Sequence, residues 1–259
     1  MSKLIFIEGI SGVGKSTLSI ALREKLCGLG YPASCFLEGD SKSPLDLFDA
    51  AYLTKIEYGK LLYTYPTLVD ELQRNSILEP DYALIRYQNS KGNYPPELYA
   101  YLKRNAFCYN TENPVPPSKY SEVFINLWRR FDESYLTNQD YLIFDGSLMH
   151  HQINDLIRNY DAAGDEIVAH LSALLQAVEQ QNPIVFYLLT QDTGRQLTKA
   201  RRSREQTPPT LEQIAFWEKR RQMDLWVLEK LPVESCISDI TDGNWDFALK
   251  NIVSSITNK

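Results

Sequence analysis

Five short apolar runs punctuate the chain: "LIFIEG" (4–9), "ASCFLEG" (33–39), "YLIFDG" (141–146), "IVFYLLT" (184–190) and "ESCISDI" (234–240). Most are continuous rather than alternating, the pattern of parallel strands covered on both faces. Between them, apolar positions recur at helical spacing, and helices are predicted over 15–29, 118–135, 163–181, 209–230 and 244–257. The first stops at "GLGYP". Ser118, just after Pro116 and Pro117, supplies an N-cap for the second. Strand and helix alternate, which predicts an α/β chain of βαβ units.

One stretch breaks the alternation. Nearly a hundred residues, 41–139, separate the second and third predicted strands, where a crossover needs only about a dozen. Proline breaks it at "YP", "EP", "YPP" and "NPVPP". It also holds many tyrosines, among them Tyr52, Tyr58, Tyr63, Tyr65, Tyr82, Tyr87, Tyr94, Tyr99, Tyr101 and Tyr109. The expectation is a mainly helical insertion. Its rings serve either as ordinary packing or as a cap over a flat substrate.

The first strand runs into Gly9-x-x-x-x-Gly14-Lys15-Ser16, a full P-loop pattern. Glycines let successive N–H groups turn inward around phosphate oxygens. The helix that opens at Lys15 aims its positive end at the same anion. Gly9, Ser11, Gly12, Val13 and Gly14 form the predicted cradle. Lys15 reaches the terminal phosphates, Ser16 offers its hydroxyl to Mg²⁺, and Thr17 supports it. Nucleoside triphosphate binding with Mg²⁺ is the firmest reading of the chain.

In a parallel sheet, ligands gather at the carboxyl ends of strands. The second predicted strand ends in "LEGD" and the third in "FDGS". Phosphoryl transfer to a hydroxyl needs positioning, charge neutralisation and a carboxylate to take the proton. Glu38 and Asp40 are candidates for that base. Asp145 either holds Mg²⁺ or is the base instead. Each also reads as a turn carboxylate, and Asp40 as a helix cap. After the fourth strand comes "QDTGRQLTKARRSREQ". Arg195, Lys199, Arg201, Arg202 and Arg204 form either a solvated basic face or a lid over the triphosphate, with Arg201 and Arg204 acting on the transferring charge. Arg129 and Arg130 in "WRRF" read as substrate-anion ligands or as partners of Asp132 and Glu133. His150 and His151 are adjacent, so they do not share a helix face as a metal pair would.

The totals narrow the function. Lysine and arginine number 27 against 33 acidic residues, a net charge of −6, which disfavours general nucleic-acid binding. No apolar run approaches the ~20 residues that span a bilayer, and no cleavable leader precedes "KLIFIEG". Four cysteines lack CxxC spacing and read as buried, reduced thiols. The expected setting is cytoplasmic, with no membrane partner. The apolar helix 163–181 is a candidate homodimer face.

"FIEGISGVGKST", a carboxylate after strand two, "YLIFDGS" and the arginine-rich stretch after strand four together resemble the P-loop nucleoside and nucleotide kinases. The thymidylate kinase and deoxynucleoside kinase branches are closest. "EGDSKSPLD" is also similar to a run in uncharacterised bacterial P-loop proteins. The resemblance implies a three-layer sandwich around a five-stranded parallel sheet in the order 2-3-1-4-5. It also implies ATP as donor, a mobile arginine lid over about 193–206, a base at Glu38 or Asp40, and the loop 239–245 near the adenine. Those kinases carry Asp-Arg or Glu-Arg after strand three, where this chain has Asp145-Gly146. The expected function is ATP-dependent transfer of phosphate to a small molecule, a nucleoside or nucleotide among the options. The alternative is a P-loop regulatory protein without a small-molecule acceptor. A signalling GTPase is disfavoured: no NKxD motif is present, and "DAAG" (161–164) reads as a helix break.

Overall fold

A computed structural model describes residues 2–134 and 138–257. Five parallel strands form the central sheet: β1 (Lys3–Glu8), β2 (Ala33–Phe36), β6 (Tyr141–Asp145), β7 (Ile184–Leu189) and β8 (Glu234–Asp239). They lie in the order β2-β6-β1-β7-β8. β1 is central, with Ile5 in register with Ile143 on one side and with Ile184 on the other.

The strand pleat builds the layers. Leu4 and Phe6 point into one apolar cluster with Trp128, Phe144 and Leu171. Ile5 and Ile7 point into the opposite one with Leu18, Leu22 and Ile252. Successive strand side chains face opposite ways, so a continuous apolar run feeds two cores at once. Helices α5 (Pro117–Ser134), α6 (His150–Tyr160), α7 (Gly164–Ala177) and α9 (Leu211–Lys230) supply the first face, and α1 (Lys15–Gly28) and α10 (Trp245–Thr257) the second. Trp128 is fully buried, stacks on Phe6 at 5.5 Å, and donates its indole N–H to Leu45 O. The predicted helix 118–135 ends within the described residues at Ser134, and Tyr135 lies outside them.

The stretch 41–139, described except for 135–137, is not simply helical. It contains an antiparallel sheet, β3 (Ala50–Thr54), β5 (Tyr82–Arg86) and β4 (Ser76–Leu78), in the order β3-β5-β4. Helices α2 (Lys55–Thr64), α3 (Val69–Arg74) and α4 (Pro96–Arg104) pack with it. Ala51, Leu53, Ala83 and Ile85 turn toward a separate core shared with Leu61, Leu72 and Leu98. Ala50, Tyr82 and Leu84 turn toward the main core. The small sheet is therefore sandwiched, which is why its short strands carry apolar residues on both faces. The cysteine expectation also needs correction: all four are free, but only Cys108 is buried, while Cys27 and Cys236 are exposed.

Candidate functional site

The P-loop turns as its glycines allow. Gly9, Gly12 and Gly14 have φ of 142°, 74° and 99°. A Cβ on Gly9 would lie 2.7 Å from Leu188 O, and one on Gly14 would lie 2.4 Å from the Trp245 ring. Backbone conformation and close approach both require glycine there. Lys15 is buried and donates from Nζ to Gly9 O and Ile10 O, each at 3.2 Å, so its ammonium sits inside the loop. Val13 is buried beneath the loop, while Ser11 and Thr17 remain accessible.

Ser16 Oγ donates to Asp145 Oδ2 at 2.5 Å. Asp145 ends β6 beside β1, with Asp145 in register with Ile7. Parallel pairing thus delivers a carboxylate to the loop from a distant part of the chain. Asp145 Oδ1 is buried without a hydrogen-bond partner. Burial pushes its carboxyl above the ordinary range, and the Lys15 charge and the Ser16 hydroxyl pull it back.

The two candidate bases separate. Glu38, partly exposed, presents its backbone N–H to Asp145 Oδ2 at 3.4 Å. Its Oε1 lies 3.9 Å from His150 Nε2 and 4.0 Å from His151 Nε2. Asp40 instead accepts the Lys42 N–H at 2.9 Å within a tight turn. The histidines, set aside as a metal pair, line the space facing Glu38. His150 shares a hydrogen bond with Gly9 O and stacks on Trp217. Burial holds it well below its ordinary pKa, hence neutral.

Glu8 was not singled out in the sequence. It is fully buried, and its carboxylate accepts the backbone N–H groups of Leu148, Met149 and His150. It thereby caps the start of α6, whose first N–H groups otherwise lack partners. Burial pushes its pKa up to about 7 against those hydrogen bonds and Lys15. The signal was present: a glutamate closing an apolar strand buried on both faces needs several donors. Arg220 braces the same segment. Buried against Asp224 at 2.8 Å, it donates to Met149 O, His150 O and Asn154 Oδ1.

The basic segment forms α8 (Thr193–Ser203), capped by Asp192, whose Oδ1 accepts the Arg195 N–H. It lies against the P-loop: Gln196 donates to Gly12 O at 2.8 Å. A Cβ on Gly12 would come 2.7 Å from Ala200 Cβ. Arg195 and Lys199 line a cavity of about 200 Å³ with Thr190, Thr241, Asp242 and Gly243. Arg201 is turned to the carbonyls of Thr207 and Pro208, and Arg204 is exposed beyond the helix. Gln196, rather than an arginine, makes the hydrogen bond from α8 to the loop. Arg130 lies 3.5 Å from Glu79, on the side of α5 facing the small sheet. A larger cavity, about 1020 Å³, opens beside Lys3, Pro183 and Glu234, at the amino ends of the strands and away from the P-loop.

The β1–loop–α1 geometry decides the class of fold. It is a P-loop fold. No protein-family model matches the chain, and no curated protein sequence does. Among solved structures, it is similar to thymidylate kinase from Candida albicans, at TM-score 0.46 and 14% identity over 99% of this chain and 92% of that one. It is also similar to the YorR protein of Bacillus subtilis in complex with phosphorylated GDP, at TM-score 0.46 and 13% identity over 98% and 95%. Among the described residues no helix is long and apolar enough to cross a membrane.

Proposed function

We propose that this chain is an ATP-dependent phosphotransferase that moves the γ-phosphate to a small-molecule acceptor. The observation that carries the reading is the convergence of Ser16, Asp145 and Glu38 beside the P-loop. A triphosphate held by residues 9–17 would meet the Lys15 ammonium. Its base would lie toward the cavity bounded by Arg195 and residues 241–243. Asp145 Oδ1, buried and unpartnered, together with the Ser16 hydroxyl, fits a hard divalent cation that takes oxygen ligands. Mg²⁺ bound there would neutralise phosphate charge.

Glu38 is the better base. Its carboxylate is accessible and faces the site, whereas Asp40 is engaged in its turn. Glu38 takes the acceptor hydroxyl proton as the new O–P bond forms. The bond from the γ-phosphorus to its bridging oxygen breaks, and ADP leaves with that electron pair. Arg195, which lines the cavity beside the loop, supplies positive charge to the phosphates, while Arg201 and Arg204 face away from it. Residues 41–139 would cap the acceptor.

The test is to incubate the protein with Mg²⁺ and γ-labelled ATP against pooled nucleosides, nucleotides, sugars and aminoglycosides, with Lys15→Ala as the blank. A labelled product absent from the blank supports the reading. Labelled free phosphate at one rate in every pool contradicts it.

A further inference from the structure

Beyond Glu38 lies a group of side chains that the transfer chemistry does not use. His151 Nε2 sits 3.8 Å from Asp46 Oδ2 and 4.0 Å from Glu38 Oε1. These gaps are too long for direct hydrogen bonds. Asp46 Oδ2 and His151 Nε2 are each buried without a hydrogen-bond partner. Both side chains are more than nine-tenths buried. Their other atoms are fixed: Asp46 Oδ1 accepts the Phe48 N–H, and His151 Nδ1 pairs with the Tyr109 hydroxyl at 3.0 Å. Two unpartnered polar atoms thus face each other beside the candidate base, held in place from behind.

Four carboxylates, Asp46, Asp49, Asp155 and Glu38, gather around Cys108 and Tyr109 here, while Lys15 and Arg220 lie on the His150 side. Arg86, the cation packed among them, is engaged with the carbonyls of Ser41, Ser43 and Asp46 and lies 3.7 Å from Asp49. The exposed Lys42 on the same loop leaves carboxylates in excess. A phosphate ester placed here would meet like charge in a poorly solvated setting. A hydroxyl or ammonium donor would instead satisfy Asp46. Phe48 is half exposed, and its ring meets those of Tyr109 and His151 at 5.5 and 5.7 Å, an aromatic face beside the pair.

We infer that the acceptor is a phosphate-free hydroxyl compound whose hydrogen-bond donors face Asp46 and Glu38 and whose ring lies against Phe48. This rests on the phosphotransferase reading and narrows it: the substrate is of nucleoside or amino-polyol type, not a nucleoside monophosphate.

The experiment offers γ-labelled ATP and Mg²⁺ to the full chain with matched acceptors: nucleosides and amino-polyols in one set, their monophosphates in the other. Transfer confined to the first set is expected, and either source satisfies the inference. In Asp46→Asn, the acceptor KM should rise about tenfold or more, with a smaller change in kcat, as loss of a charged hydrogen-bond partner predicts. Phe48→Ala, at a half-exposed position, should raise the acceptor KM as well. Preferential transfer to monophosphates, or an unchanged acceptor KM in both variants, overturns the inference and leaves the kinase reading standing. Free phosphate alone in both sets overturns the kinase reading itself.

Discussion

Ser16 donates its hydroxyl to Asp145 at 2.5 Å across 129 positions of sequence. The contact exists because β6 pairs with β1 in parallel register, so both strands end at one level. It joins the phosphate loop to a buried carboxylate that still has one unpartnered oxygen. Asp145→Asn keeps the shape and removes the charge. Transfer activity should fall by about 100-fold or more, the scale for losing a preorganised electrostatic group. The Mg²⁺ midpoint of the remaining rate should move up. A wild-type midpoint in rate-against-Mg²⁺ titrations would contradict the cation assignment.

Lys15 makes its contacts within the loop, to Gly9 and Ile10 carbonyls. Lys15→Ala should abolish measurable transfer and weaken ATP binding while the melting profile by circular dichroism stays close to wild type. Wild-type turnover would remove Lys15 from the mechanism.

Gly12 ties the loop to α8. Its φ is +74°, and an added Cβ would meet Ala200. Gly12→Ala should cost about 1–3 kcal/mol in backbone strain and push α8 off the loop, breaking the Gln196–Gly12 hydrogen bond. The KM for ATP should rise. Equal KM values in the variant and wild type would mean that α8 does not act as a lid.

His170 is buried between Ser121 and Gln152, and burial lowers its pKa from 6.5 to about 4. The folded state keeps it neutral while the unfolded chain protonates it below pH 6.5. Its contribution is fully present above pH 6.5 and is lost as pH falls toward 4, up to about 3 kcal/mol. Urea unfolding of His170→Gln across that window should show a shallower loss of stability on acidification than wild type. Parallel pH profiles would contradict this.

Strands with continuous apolar runs were legible in the sequence, because burial on both faces leaves no polar alternation to confuse them. The turn of the glycine loop was legible because its glycines sit where positive φ and close approach require them. The β3-β5-β4 sheet was not, since strands of three to five residues carry too little pattern. One local signal was available: Thr54 and Glu57 form a reciprocal capping box that starts α2. Glu8 escaped notice, and the His150–His151 pair was weighed only as a metal pair, for a different reason. Their meaning depends on strand pairing and on the entry of α6, which local spacing does not encode. Sequence also left Glu38 and Asp40 equivalent, and only the turn that engages Asp40 separates them.

The central claim is acceptor-dependent phosphate transfer at the Lys15, Asp145 and Glu38 site. Phosphorus NMR of a reaction with ATP, Mg²⁺ and pooled acceptors tests it most directly. A new phosphoester resonance that grows with ADP, and is missing with Lys15→Ala, is the predicted result. ADP and inorganic phosphate appearing in equal amounts, at a rate indifferent to every acceptor, would contradict it.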